Sequence, residues 1–428
     1  MQYFYLLLKE TYNMSFLFLI LCKSIHNPFF MKNNNTSFIN FNNTEIAFRG
    51  KTNTDLREMH LLFRVMNNPK WVNMGKKLVN IAFAIHFPIE WIVKRTIYKY
   101  FCGGVSIADS SKLIDRLYER HVGTILDYAV EGEENEEVFD ETCKEIMRTI
   151  TYAHNNKKTP FSAFKMSGIG SFDLMVKVSN NEPLTESEKE SHRLIVKRVD
   201  DICKLGYELN VPILIDSEET WIQPMLDSLI LDMMRKYNKE SAIVQNTYQM
   251  YRHDRVEVIK QHHATAQAEG FKLGLKIVRG AYMEKERARA EEMGYPSPIQ
   301  PNKEATDRDF DEIIRYFVDN VDTIWFMVAT HNEKSTRLLA TLIEERGLPR
   351  NHPHIYFSQL YGMSGHLTYN LAEQGYNVVK YVPYGAVKTM IPYLIRRAEE
   401  NSSVTGQSSR ELSLIKKEIE RRKKERDK

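Results

Sequence analysis

Leu273-Gly-Leu-Lys-Ile-Val278 is a short β-rich run, and a longer helical stretch separates it from the next one, Ile324-Trp-Phe-Met-Val328. Short runs rich in branched and aromatic residues, alternating with longer helical patterns, signal parallel strands joined by crossover helices. The alternation extends outward in both directions. Upstream lie Thr124-Ile-Leu-Asp-Tyr-Ala-Val130, Phe161-Ser-Ala-Phe-Lys165, Pro212-Ile-Leu-Ile215 and Ala242-Ile-Val-Gln245. Downstream lie His354-Ile-Tyr-Phe357 and Asn377-Val-Val-Lys-Tyr381, with helical stretches such as Glu186–Leu209, Pro224–Tyr237 and Lys334–Arg346 between runs. Eight strands in strict alternation with helices predict an α/β fold, a (β/α)8 barrel of the TIM type. The barrel is expected over residues 105–405, after an N-terminal helical extension over 31–104 and before a basic tail over 406–428.

Active sites of this fold sit at the C-terminal ends of the strands. The apolar runs stop there on Glu131, Lys165, Asp216, Gln245, Arg279, Thr330 with His331, Gln359, and Lys380 with Tyr381. Taken singly, such residues read as caps or loop starts; together they predict a polar ring around one mouth. After the eighth run comes Pro392-Tyr-Leu-Ile-Arg-Arg-Ala-Glu-Glu-Asn401. Tyr393, Arg396, Arg397 and Glu400 fall at i, i+3, i+4 and i+7, one face of a helix. A solvated face of Arg–Glu pairs is one reading of that stripe. The other is a clamp for a small acid, because guanidinium forks hold a carboxylate through two parallel hydrogen bonds.

The 428 residues carry a net charge of +3, and no basic stripe interleaves with aromatics, so nucleic-acid binding is not expected. Cys22, Cys102, Cys143 and Cys203 are dispersed, and His352 and His354 sit in a loop-like Asn-His-Pro-His. Neither a disulfide framework nor a metal site follows from them. No GxxxxGK[ST] loop is present and no GxGxxG follows a strand, so Rossmann-type dinucleotide binding is not indicated. A flavin could still sit at the mouth. In Val278-Arg-Gly-Ala-Tyr282, Gly280 permits close approach, Arg279 offers a cation and Tyr282 an aromatic wall.

Lys276-Ile-Val-Arg-Gly-Ala-Tyr282, Ala329-Thr-His-Asn332, Tyr356-Phe-Ser-Gln-Leu-Tyr-Gly-Met363, Lys380-Tyr-Val-Pro-Tyr-Gly385 and the Tyr393-containing stretch together resemble the flavin-dependent proline dehydrogenase family, in its order, from about Phe101 to Val404. The resemblance implies a distorted barrel with FAD at the strand ends. The implied activity is oxidation of L-proline to Δ1-pyrroline-5-carboxylate by hydride transfer from C5 to flavin N5. The implied electron acceptor is a membrane quinone, ubiquinone or menaquinone. Carried over by position, Arg396, Arg397 and Lys165 bind the carboxylate, and Tyr393, Tyr381 and Leu360 wall the ring. Asp216 and Glu400 orient these groups, with Glu131 as a gate toward Arg396. Lys276 stands beside flavin N5 where the family often has arginine, keeping the charge without the fork. Asp216 and Lys276 are thus the catalytic pair. Ser217, Gln245, Arg279, Gly280, Ala281, Thr330 and His331 are the implied FAD contacts.

A hydroxyproline dehydrogenase of the same family is the nearest competitor, and Tyr381 against the ring leaves little room for an added hydroxyl. A non-catalytic barrel used as a binding module is the competitor from another class. The length leaves no room for a fused aldehyde dehydrogenase, so a monofunctional enzyme is expected. Met14-Ser-Phe-Leu-Phe-Leu-Ile-Leu-Cys22 is apolar but shorter than the ~20 residues that span a bilayer. Residues 1–30 therefore read as a non-native or targeting extension, with Met31 as working start. In the tail, Leu412, Ile415 and Ile419 share a side among many lysines and arginines. It reads either as a frayed solvated helix or as a peripheral membrane anchor. The expected location is cytoplasmic and peripheral on the inner membrane if the source is bacterial, or on the mitochondrial inner membrane if eukaryotic.

Overall fold

A computed structural model describes residues 39–427 apart from 86, 129–134 and 404–406, and only the backbone of 80, 83, 84, 400–403 and 407–409. The expectations for residues 1–30, for Glu131 and for the Glu400 side chain lie outside the described residues. Residues Phe41–Lys428 form one unit.

Helices α1 (Thr44–Phe48), α2 (Asn53–Met66) and α3 (Pro69–Ala84) open it, and α4 (Glu90–Val93) runs through a π-helical turn into α5 (Lys99–Phe101). Next come α6 (Ile107–Tyr118), β1 (Val122–Tyr128), α7 (Glu136–Asn155), β2 (Phe161–Lys165), α8 (Phe172–Ser179), α9 (Glu186–Leu209) and β3 (Ile213–Asp216). The middle holds α10 (Gln223–Tyr237), β4 (Val244–Gln249), α11 (Arg255–Glu269), β5 (Leu273–Val278), α12 (Met283–Met293), α13 (Lys303–Asp319) and β6 (Ile324–Ala329). The chain closes with α14 (Glu333–Glu345), β7 (Ile355–Leu360), α15 (Gly365–Glu373), β8 (Val378–Tyr384), α16 (Val387–Ser403) and α17 (Gln407–Arg426).

All eight strands are parallel, each paired to the next, and β8 pairs back onto β1 from Val122↔Val378 to Tyr128↔Tyr384. The (β/α)8 expectation holds. Local chemistry sets the helix limits. Thr52 and Asp55 form a capping box on α2, Thr185 and Glu188 another on α9, and Asn210 ends α9 in the left-handed conformation. Inside the barrel Ile125, Phe161, Ala163, Leu214, Met327, Val379 and Tyr381 form one apolar core. Residues two positions further along these strands, Asp127, Lys165 and Asp216, point to the same inner side because strand side chains alternate.

Three strand ends differ from expectation. β4 continues through Asn246-Thr-Tyr to Gln249, so Gln245 is its second residue and its amide bonds the Ala242 carbonyl. β8 continues to Tyr384, which leaves Lys380 and Tyr381 inside the strand. Gln359 and Lys380 are register partners and face outward. Thr368 of α15 bonds the Gln359 amide oxygen, and Lys380 Nζ bonds the carbonyls of Leu360 and Met363. Gln245, Gln359 and Lys380 therefore leave the polar ring. Polar residues inside a strand end the apolar run without ending the ladder.

The tail is neither frayed nor available as an anchor. Leu414 and Ile415 of α17 are buried in a second apolar core with Phe48, Leu56, Phe63 and Phe101 of the N-terminal helices and Ile391 and Leu394 of α16. Glu418 is buried beneath Arg421 and Arg422, and Arg422 donates to the carbonyls of Phe48 at the end of α1 and of Lys51 just beyond it. N-terminal helices and tail thus form one layer over α16.

Candidate active site

Asp216 ends β3 at the centre of the mouth. Its Oδ1 pairs with Lys276 Nζ from β5, and its Oδ2 accepts from Tyr381 Oη of β8 at 2.6 Å. Thr247 Oγ1 of β4 adds a donor at 3.4 Å. Burial alone would push this carboxyl up, but Lys276, Lys165 and the hydrogen bonds from Lys276 and Tyr381 outweigh it and hold it below its ordinary value. Burial, then Asp127 and Asp216, push the Tyr381 phenol well above its usual range, so it stays a neutral donor. Lys276 Nζ also lies 4.9 Å from the Tyr381 ring centre. Lys165 ends β2 and reaches Asp127 Oδ2 of β1 at 3.0 Å. Asp127, only 1 % exposed, is a site residue that the sequence reading missed. A lone carboxylate within the apolar run Thr-Ile-Leu-Asp-Tyr was the available signal.

The α16 stripe meets this floor through Leu360. That side chain packs against the barrel core containing Tyr381 and against the helical core containing Tyr393. Arg397 is buried, its guanidinium 5.0 Å from the Tyr393 ring centre, and Arg396 is half-buried. Tyr381 and Lys165 thus meet beside Asp216, and Leu360 joins this floor to Tyr393, against which Arg397 lies. Such a place offers apolar walls, cationic ends and fixed neutral or anionic acceptors.

A second group of residues lines the ends of β3 to β6. Arg279 is held by Asp307, Thr330 and Ser335 and lies over Phe310, 4.3 Å from its centre. Gln249 accepts from the Ala281 amide at 3.2 Å and donates to the Glu218 carbonyl at 2.6 Å. It occupies the strand-end position that had been expected of Gln245. Gly280 has φ +138°, and a Cβ there would fall 2.5 Å from the Tyr251 ring, so this packing already demands glycine. His331 Nδ1 meets Ser364 Oγ at 2.8 Å. Burial, then the Lys380 and Arg397 charges, hold its imidazole well below the usual range, and it is neutral. Ser364, in turn, donates its backbone N–H to the buried Glu411 of α17. Next to Gln249 the Glu218 carboxyl, buried against Ser167, is pushed up by burial to about 7.

Flavin chemistry needs donors and a fixed cation at the ring and phosphates. The Oγ of Ser217 is shut from solvent and meets no hydrogen-bond partner among the described residues. Such an orphan is expected where a ligand completes the site. With Gln249 bonded to the carbonyl of the adjoining Glu218, and with Arg279 joined to Thr330 at the ends of β5 and β6, the donor set fits FAD.

Comparison with known proteins supplies the remaining finding. Residues 110–410 match the family model described as proline dehydrogenase. Proline dehydrogenase 1, mitochondrial, of Dictyostelium discoideum is 33% identical over 400 residues, covering 83% of this chain and 69% of that protein. Hydroxyproline dehydrogenase of Xenopus laevis is 28% identical over 413 residues, covering 88% of this chain and 89% of that one. Among solved structures, proline utilization A from Bdellovibrio bacteriovorus inactivated by N-propargylglycine superposes with a TM-score of 0.66 at 20% identity. The match covers 84% of this chain but 38% of that protein, and it speaks to the fold alone.

Proposed function

The chain belongs to the proline dehydrogenase family, and from that premise we propose that it oxidises L-proline to Δ1-pyrroline-5-carboxylate with FAD as the resident cofactor. The observation that carries the proposal is the meeting, through Leu360, of the Tyr393–Arg397 helix face with the Asp216–Lys276–Tyr381 floor. Held along the ends of β3 to β6, FAD would supply the hydride acceptor for oxidation of proline at C5.

The protein groups do the rest. Arg396 and Arg397, with Lys165, hold the carboxylate of proline, and this fixes which carbon faces the cofactor. Tyr381, Tyr393 and Leu360 enclose the ring and keep water from it. Asp216 holds Tyr381 and Lys276 in place, so the ammonium of Lys276 is ready to offset negative charge that builds next to it. Ser217, Gln249, Arg279, Ala281, Thr330 and His331 hold the cofactor. Solvent takes the proton that leaves the substrate amine before oxidation. A membrane quinone would be the electron acceptor, with the protein peripheral on the bilayer; no helix among the described residues is long and apolar enough to cross a membrane.

The likeness to a hydroxyproline dehydrogenase across most of both chains keeps that substrate as the second reading. One experiment separates the readings. The purified protein should show a flavin absorbance spectrum, and L-proline added without oxygen should bleach it faster than trans-4-hydroxy-L-proline does. A colourless protein that takes up no FAD would sink the proposal, and the reverse substrate order would favour the second reading.

A further inference from the structure

Helix α3 carries two apolar stripes. Val72, Val79 and Ala82 turn inward, toward the layer that covers α16. Trp71, Met74, Leu78 and Ile81, continued by Ile85 just past the helix, recur at alternating steps of three and four residues, one helix face. All five are exposed, Trp71 by 54% and Ile85 by 67%. Phe87 in the following turn and Trp91 and Ile92 on α4 are exposed as well, Trp91 by 62%. A soluble surface scatters single apolar side chains, but five on one helix face mark an interaction face.

The charges around that face name the partner. From Met59 to Lys99 the basic residues are Arg64, Lys70, Lys76, Lys77, Lys94, Arg95 and Lys99, and the only acidic residue is Glu90. Lys76 and Lys99 are spent on Glu399 and Glu58, whereas Lys70, Lys77 and Lys94 stand exposed at the rim. An apolar stripe with indole rings, flanked by cations, suits the interface of an anionic bilayer, where tryptophan and lysine both gain. We infer that α3 and α4 form the surface by which this protein lies on an anionic lipid bilayer. The role first expected of the C-terminal tail passes to this face, since the tail's apolar side is buried. Val79 and Ile89 pack from these helices onto the core that contains Tyr393 and Leu394, so the bilayer would lie one helix away from the clamp. The inference deepens the acceptor part of the proposed function and rests on it for its purpose, though not for its test.

The test is co-sedimentation of the full chain with vesicles of phosphatidylcholine alone and of equimolar phosphatidylcholine and phosphatidylglycerol. Binding should favour the anionic vesicles and shift the tryptophan emission to the blue. The double variant Leu78→Glu/Ile85→Glu should lose at least about ten-fold in partitioning, because two carboxylates replace buried apolar contacts. Lys70→Glu/Lys77→Glu should lose about five-fold or more per lysine, on anionic vesicles only. Equal binding by Leu78→Glu/Ile85→Glu overturns the inference. So does a wild-type dimer, lipid-free and without vesicle affinity, that the same variant splits into monomers. Bleaching by proline in solution should be unchanged in both variants; its loss in wild type and variants alike would fault the proline reading instead.

Discussion

Tyr381 Oη donates to Asp216 Oδ2 at 2.6 Å, across the mouth from β8 to β3, while the other Asp216 oxygen holds Lys276. One half-buried carboxylate therefore bonds both the ring wall and the cation of the candidate site. Tyr381→Phe keeps the ring but removes this donor to a charged acceptor, a loss of about 1.5–3 kcal/mol. That corresponds to roughly a 10- to 100-fold fall in kcat/KM for proline. Steady-state kinetics with an artificial electron acceptor measure it; unchanged kinetics would remove Asp216 from the centre of the site.

Arg397 is buried beside Tyr393 and fixed on α16. Arg397→Met and Arg396→Met should each raise KM for proline while the flavin spectrum stays as in the wild type. Loss of one partner from a buried charged pair costs about 2–5 kcal/mol, so a rise of at least about 30-fold is expected. A KM within error of wild type for both would defeat the clamp.

Gln249 and Gln245 stand four residues apart on the same inward face of β4, at opposite depths. Gln249→Ala removes the link between Ala281 and Glu218, and Ser217→Ala removes an orphaned hydroxyl. Each should weaken FAD binding by about five-fold, the worth of one hydrogen bond. Gln245→Ala should leave FAD affinity unchanged. Fluorescence titration of the apoprotein with FAD discriminates them, and an equal loss from Gln245→Ala would reverse the placement given to these two side chains.

Glu218 provides the pH test. Its carboxyl has an ordinary value of 4.5 and is raised to about 7 in the fold, chiefly by burial. Between these values the folded protein binds the extra proton, so its contribution to stability is present at low pH and is lost as pH rises through about 7. Glu218→Gln keeps the contacts to Ser167 without the titration. The variant should gain thermal stability over wild type at pH 8 and lose that advantage at pH 5. Melting curves at the two pH values check the sign.

Ile415 is fully buried among the N-terminal helices although it lies in the basic tail. Ile415→Ala should cost about 2–4 kcal/mol of stability by leaving a cavity. Lys416→Ala, at an exposed neighbouring position, should cost little. Denaturant midpoints for the pair decide between a docked and a solvated tail.

Strand count, order and the helical stripe were legible because each depends on local periodicity. Phe161–Lys165 and Leu273–Val278 coincide with β2 and β5 to the residue. The misplacements share one cause. At Gln245, Gln359 and Lys380 an apolar run stops while the backbone ladder goes on, and hydrogen bonding to a neighbouring strand leaves no mark in one strand's own sequence. Asp127 was passed over for the converse reason: a charge inside an apolar strand is tolerable only because Lys165 of the next strand meets it.

The sequence by itself determined the barrel and the family, since these follow from alternation and motif order. The tertiary structure alone decided that Gln249 rather than Gln245 reaches the mouth. It alone made Asp216 the junction of Tyr381 and Lys276, buried the apolar side of the tail and left one apolar face of α3 exposed. Each of those outcomes depends on which distant surface a side chain meets. Burial and pairing between remote segments are properties of the packed chain, and no periodicity within a segment encodes them.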